Sequence, residues 1–301
     1  CFHMLRLSLL LQALAVSARS FISFDASDEA VSMVQRLPRA IAKWTKPRPW
    51  EVNNYVVANY HKSGKKLANL TWATLKAPAE AIGRIQRPCF FGAFCHNTEA
   101  PLLLISDALN SSFADTQRRA RAARGARLLT AVFVRNPLTM VASMYCYHHA
   151  GQEAGLNLLF DVPKLIRLKL PEGAQAAAEM MLELVEWMGS MHHQPDTKLF
   201  RFEDLTRSSE SFDAEVQGFL DFFFSGDLIS PQQRSSILLG ARKLDLWRNP
   251  ENNWDHKVNR SHSSNQDCVR EAKLALPFLE PSLLQKYHEL QRRLGYPIGS
   301  A

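Results

Sequence analysis

The residues with the clearest chemical meaning form one short block, His61-Lys62-Ser63-Gly64-Lys65-Lys66. A β-branched and aromatic run, Tyr55-Val56-Val57, leads into it, and a helix-compatible segment, Leu67 to Leu75, follows. Strand, small-residue turn with lysines, then helix is a layout that binds phosphate or sulfate. Backbone N–H groups at the helix N-terminus point at the anion, and the helix dipole favours negative charge there. Lys62, Lys65 and Lys66 add charge that a plain turn does not need. The block is not a Walker A loop, because the first glycine of G-x-x-x-x-G-K-[ST] is missing and no Lys-Ser/Thr pair follows Gly64. A strand-to-helix turn with solvated lysines is the competing reading of the same residues.

A second group lies further along. Leu128 to Val134 is a nearly continuous apolar run of strand length, as expected for a strand buried on both faces of a parallel sheet. It ends in Arg135-Asn136-Pro137, and Ser143 follows. An arginine at the carboxyl end of a buried strand sits where open α/β sheets bind ligands. Pro137 suits the first turn of a helix that carries Ser143 two turns on. An arginine fork and a serine hydroxyl can jointly hold a second phosphate. An arginine closing a strand also serves as a surface ion-pair partner, so this group alone leaves both roles open.

In their order along the chain, the two groups resemble the motifs of sulfotransferases that use 3′-phosphoadenosine 5′-phosphosulfate. His61 to Lys66 looks like that family's 5′-phosphosulfate loop, and Arg135-Asn136-Pro137 with Ser143 looks like its 3′-phosphate motif. Leu199 to Leu205 is similar to the family's strand ending in Tyr-Glu-Asp-Leu, and Phe212 to Phe222 to the helix after it. Leu283 to Tyr296 has the look of the family's terminal helix. The similarity runs from about residue 52 to 296. It implies a doubly wound, mainly parallel sheet flanked by helices, in the P-loop-like sulfotransferase arrangement. It also implies donor contacts from Lys62, Ser63, Gly64, Lys65, Lys66, Leu67, Arg135, Ser143 and Phe202, with Lys62 catalytic. A loop from Trp254 to Asp267 loosely resembles the segment that closes over the donor's 3′-phosphate, which brings in Arg260 and Ser261; an ordinary polar loop is the equal alternative.

The chain also departs from the family. Lys65 and Lys66 replace a pair of hydroxyl residues, and Leu67 stands where soluble members carry an adenine-stacking tryptophan. His61 replaces a proline, and Phe202 a tyrosine. These changes point away from the cytosolic phenol and steroid branch. Sulfuryl transfer needs a base that takes the acceptor's proton and cations that stabilise the leaving group. The cytosolic branch has a histidine after the second strand; here Leu104-Ile105-Ser106-Asp107 has none. Asp107 is the best-placed carboxylate, His96 and Glu99 lie just upstream, and an aspartate at a strand end equally serves as a helix cap.

These residues need a scaffold, and the pattern of elements supplies one. Strands are expected at Tyr55–Asn59, Pro101–Ile105, Leu128–Val134 and Lys198–Phe202. Helices are expected at Asp25–Arg36, Leu67–Lys76, Ser111–Arg124, Leu138–His149 and Gly173–His193. Met180, Met181, Leu184, Val185 and Met188 recur at helical spacing and read as core. Alternating strands and helices imply an α/β fold, and right-handed crossovers put both phosphate groups on one edge of the sheet. Gly151 to Gly173 shows no clear pattern and reads as an acceptor-binding lid.

The chain has 301 residues, 46% of them hydrophobic, and neither a repeat nor a low-complexity linker, which favours one α/β domain. Residues 1–18 read as a signal or targeting segment, 19–50 as a helical lead-in and 51–301 as the domain. From Met4, Arg6 supplies a positive start, Leu7 to Val16 is mostly apolar, and Val16-Ser17-Ala18 has the small residues a signal peptidase reads. An amphipathic first helix or an organelle transit segment is the alternative. The apolar run is too short to span a membrane. A net charge of +7 fits an anionic ligand. It fits nucleic acid too, but zinc-finger spacing, an aromatic-basic RNA signature and a basic region with heptads are all missing. The densest basic run, Arg118 to Arg127, would steer an acidic polysaccharide or form a solvated helix face. Cys89, Cys95, Cys146 and Cys268 allow two disulfides, with Cys89 and Cys95 able to close a small loop, and no C-x-x-C suggests zinc. Asn69, Asn110 and Asn259 open glycosylation sequons, Asn110 being the most plausible.

The reading that unites these features is a secretory-pathway sulfotransferase, in the Golgi lumen or secreted, that sulfates an acceptor hydroxyl on a glycan without a metal. A P-loop kinase and an anion- or glycan-binding protein without turnover are the alternatives.

Overall fold

Two apolar runs form the centre of a parallel sheet. Strand β1 (Asn53–Asn59) is buried along its whole length, and β4 (Arg127–Val134) everywhere but its first residue. With β2 (Cys89–Phe90), β3 (Leu102–Ser106) and β5 (Thr197–Arg201) they make a five-stranded sheet in the order β2-β3-β1-β4-β5. Every pairing is parallel, and β1 meets β4 from Asn53↔Arg127 to Ala58↔Val132. The computed structural model describes residues 53–64, 109–152, 160–225, 228–245, 247–249 and 265–301, and the backbone of 89–90 and 102–106. All lie within the compact unit Thr45–Ala301.

The side-chain alternation of the two central strands explains why helices cover both faces. Val56, Ala58, Leu128, Val132 and Val134 point into one core. It is filled by α2 (Pro137–His149), α3 (Val162–Arg167), α4 (Glu172–Ser190), α8 (Gln266–Ala275) and α9 (Pro281–Arg293). The methionine stripe lies here, with Met181 and Met188 fully buried. Tyr55, Val57, Leu129, Ala131 and Phe133 point into the other core, beneath α6 (Ser209–Phe223) and α7 (Pro231–Arg242). Among the described residues, α1 (Ser111–Ala122) leads into β4, and the single turn α5 (Phe202–Leu205) follows β5. Among the described residues, no helix is long and apolar enough to cross a membrane.

Strand order fixes where a ligand can sit. From β1 the chain builds one side of the sheet with β2 and β3, then crosses to the other side with β4 and β5. The β1–β4 boundary is therefore the topological switch point, where connections leave in opposite directions and open a crevice at the carboxyl ends.

Three expectations change. The stretch from Gly151 to Gly173 contains α3, started by the Asp161 side chain, which accepts from the Lys164 N–H, and by Pro163 in its first turn. Val162 and Leu165 of α3 are buried, so this part is core structure and not a lid. The strand expected to reach Phe202 ends at Arg201, and Phe202 opens α5. The basic run from Arg118 to Arg127 sits at the amino end of β4, away from the crevice edge. Arg121 is buried and donates to Asn54 Oδ1, Arg118 is tied to Asp115, Gln194 and Pro195, and Arg127 pairs with Asp196. These three arginines brace the bottom of the sheet, while Arg119 and Arg124 are exposed, as the solvated helix face expected for this run requires.

Cys146 of α2 is disulfide-bonded to Cys268 of α8 across 122 residues of sequence. Closing a loop of that size restricts the unfolded chain, an effect worth about 2–4 kcal/mol. We predict that the Cys146→Ala/Cys268→Ala protein unfolds at clearly lower denaturant concentration than the oxidised wild type; an unchanged midpoint would mean the bridge contributes nothing to stability.

Candidate anion-binding site

The loop after β1 is a tight, braced turn. The Ser63 hydroxyl donates to the Tyr60 carbonyl (2.9 Å) and accepts from the Tyr60 N–H (2.8 Å), while the Ser63 N–H donates to the same carbonyl (2.9 Å). Ser63 is 0% exposed, so its side chain shapes the loop. The Tyr60 hydroxyl anchors the turn by donating to the Leu109 carbonyl at 2.6 Å. Lys62 and Gly64 both have positive φ, 64° and 96°. For a lysine this left-handed conformation costs of order 1 kcal/mol or more, and it persists only where the surroundings impose it.

Arg135, at the end of β4, imposes part of it. Its Nη1 donates to the Lys62 carbonyl at 3.2 Å, joining two motifs 73 residues apart. Its guanidinium lies 4.6 Å from the centre of the Phe202 ring, and the same ring packs against Gly64. Phe202 is thus a wedge between the two motifs. Arg135 Nε is buried without a hydrogen-bond partner. Burial pushes the guanidinium's pKa down, while Glu203 and Tyr296 pull it back up. Glu203 does not itself hydrogen-bond Arg135: Oε1 accepts from the Asn136 N–H (3.1 Å) and Oε2 from the Tyr296 hydroxyl (2.8 Å). Burial, and then Glu203, hold the Tyr296 phenol far above its usual range, so it stays a donor.

A third cation joins from α8. The Lys273 ammonium has its pKa pushed down by burial and then by repulsion from Arg135, with Glu203 opposing. The cluster therefore carries more positive than negative charge, and a dianionic ligand would relieve the repulsion.

Helix α2 forms the wall above the loop. Asn136 caps it, accepting from the Leu138 and Thr139 N–H groups, and Pro137 occupies its first turn. Ser143 is 7% exposed, and Tyr147 lies one turn further on the same face. The Lys62 ammonium sits 2.9 Å from the centre of the Tyr147 ring, a cation–π contact that attracts the charge without supplying a negative one. His148, 0% exposed, places Nε2 3.2 Å from His61 Nε2 and Nδ1 3.0 Å from the Gln152 carbonyl.

Of the residues expected from sequence, the fold brings together Lys62, Ser63, Gly64, Arg135 and Phe202, and buries Ser143 on α2 one turn before Tyr147. Lys65, Lys66, Leu67, His96, Asp107, Arg260 and Ser261 lie outside the described residues. Tyr147 and His148 were legible in principle, one turn beyond Ser143 on a helix already expected. Glu203 stood in a stretch read only for its resemblance. Lys273 had no local signal, because only tertiary packing brings it here.

Gly64 gives a direct test of this geometry. A Cβ there would lie 2.7 Å from Phe202 Cδ2, on backbone that L-residues rarely adopt. We predict that Gly64→Ala destabilises the protein by about 1–3 kcal/mol and weakens anion binding, and that adding Phe202→Ala recovers part of the stability. Thermal melts of the two variants check this; a single variant as stable as wild type would show that the loop does not need this conformation.

No protein-family model matches the chain, and no curated protein matches its sequence.

Proposed function

We propose that this protein is a sulfotransferase that moves a sulfuryl group from 3′-phosphoadenosine 5′-phosphosulfate to an acceptor hydroxyl on a glycan. One observation carries the reading. Two motifs that resemble the donor's two phosphate sites, distant in sequence, meet at the sheet's switch point through the Arg135–Lys62 hydrogen bond, and Arg135 keeps a buried Nε without a partner. A buried cationic donor lacking a partner is costly unless something binds it. A nucleotide with separate 5′ and 3′ anionic groups fits two cationic sites at adjacent strand ends.

In this reading the loop from His61 to Gly64 holds the phosphosulfate, and Lys62 meets the oxygen bridging sulfur and phosphorus. Charge builds on that oxygen as the acceptor oxygen attacks sulfur and the bond to the leaving phosphate breaks. A cation held there lowers the barrier. Arg135 and Ser143 hold the 3′-phosphate, with Lys273 adding charge. Phe202 keeps the two sites in register, a role in which a tyrosine hydroxyl is not required. The Cys146–Cys268 disulfide supports a secretory-pathway location, where such bonds persist.

Lys62→Ala should leave a folded protein whose sulfuryl transfer falls by roughly two to three decades, equivalent to about 3 kcal/mol of transition-state stabilisation. Donor turnover against a panel of glycans measures it, and near-normal turnover would remove Lys62 from the chemistry.

Arg135→Ala should weaken adenosine 5′-phosphate somewhat, because it releases the Lys62 carbonyl, and should weaken adenosine 3′,5′-bisphosphate by clearly more. Titrating both nucleotides against both proteins gives a double-mutant cycle; a coupling energy near zero would show that Arg135 does not read the 3′-phosphate.

A further inference from the structure

We propose that Glu203 limits how tightly this site holds a nucleotide's 3′-phosphate, and so sets the rate at which adenosine 3′,5′-bisphosphate leaves; the assignment rests on the sulfotransferase reading above. The donor and the spent nucleotide carry the same 3′-phosphate, and no bond to it changes in the reaction. Cations at that position bind donor, transition state and product alike. Such uniform binding lowers KM without raising kcat, and in excess it traps the product. A fixed negative charge that offsets part of the cationic field keeps the product free to leave.

Glu203 meets this need through its field alone. It follows Phe202, whose ring centre lies 4.6 Å from the Arg135 guanidinium. Its Oε1 accepts from the N–H of Asn136, the residue after Arg135, at 3.1 Å, and its Oε2 accepts from the Tyr296 hydroxyl at 2.8 Å. Both oxygens are turned to neutral donors, away from the paired N–H···O bonds by which an arginine and a carboxylate make a strong bridge. Arg135 Nε stays buried without a hydrogen-bond partner. The charge still reaches the cluster: burial pushes the pKa of Arg135 and of Lys273 down, and Glu203 pulls each back up. The donors of Arg135 are left for a ligand while its charge is partly offset.

The fold holds the carboxylate in this posture. Tyr296 is buried, and its ring centre lies 5.2 Å from the Arg201 guanidinium, which donates to the Leu294 carbonyl at 3.1 Å. The Asn136 side chain accepts from Gln291 Nε2 at 3.2 Å and donates to the Ser300 carbonyl at 2.9 Å, and Gln291 is itself fully buried. With both partners fixed, the negative charge has a set place beside the cations.

Glu203→Gln removes the charge and can keep both contacts, its amide oxygen accepting from the Asn136 N–H and its amide N–H donating to the Tyr296 oxygen. Calorimetry at low salt should show the variant binding adenosine 3′,5′-bisphosphate tighter by roughly three- to thirtyfold. Stopped-flow dissociation should slow by a similar factor. The gain should shrink as salt is added, and adenosine 5′-phosphate should gain clearly less. Glu289→Gln, at an exposed carboxylate paired with Arg292 and Arg293, makes the same change in net charge and should leave the affinity within about twofold. If Glu203→Gln does not fold, Glu203→Met is read in the same way. A merely structural role would move the affinity in the opposite direction, because losing Glu203 would loosen Asn136 and Arg135 beside it. Unchanged or weaker binding in the folded variant, an equal gain for both nucleotides, or an equal gain in Glu289→Gln would overturn the role of Glu203 while leaving the sulfotransferase reading intact. A wild type that does not bind the bisphosphate would overturn that reading and this role with it.

Discussion

The bond from Arg135 to the Lys62 carbonyl is the constraint on which the site depends. It exists only because β1 and β4 are adjacent and parallel, so that their carboxyl ends fall on the same edge. Burial of both strands on both faces fixes that adjacency. A shift of one residue in either strand would turn its core side chains to the opposite face, so the register is strongly held. The loop conformation follows from it. Lys62 adopts its left-handed backbone beneath Arg135, Ser63 closes the turn from within, and Gly64 gives the Phe202 ring room to lie against both.

Charge is concentrated where the backbone converges. Arg135 is largely desolvated, repels Lys273 and is only partly compensated by Glu203. Glu203 is occupied in holding the start of α2 through the Asn136 N–H and in bonding Tyr296. A site built for stability alone would pair these charges directly, because a buried charge without compensation costs several kcal/mol. The imbalance makes sense for a pocket that completes its electrostatics with an anion. Helix α2 supplies the rigid platform: its first twelve residues are buried, and it carries Asn136, Ser143, Tyr147 and His148 while Cys146 ties it to the helix bearing Lys273.

Much of the frame was legible because burial writes itself into composition. The runs at Tyr55 and Leu128 gave the two central strands, and Pro137 gave the start of α2. The parallel pairing and the shared edge followed from alternating elements. Side-by-side placement of β1 and β4 was not legible, since strand order depends on which side each crossover takes. Ser63 shows a different limit: a serine in an anion-binding loop reads as a ligand contact, yet its hydroxyl is spent on the Tyr60 backbone. The α3 turn was missed because six residues carry too little periodicity, and its signals, the Asp161 cap and Pro163, are local. His148 was legible only as a position one turn beyond Ser143; its contact with His61 comes from tertiary packing. Lys273 came into view through packing alone.

The most direct test of the account is a crystal structure with adenosine 3′,5′-bisphosphate bound. The account predicts the 5′-phosphate on the loop from His61 to Gly64 and the 3′-phosphate hydrogen-bonded to Arg135, with the nucleotide at the carboxyl ends of β1 and β4. Failure to bind, or binding away from this edge, would contradict it.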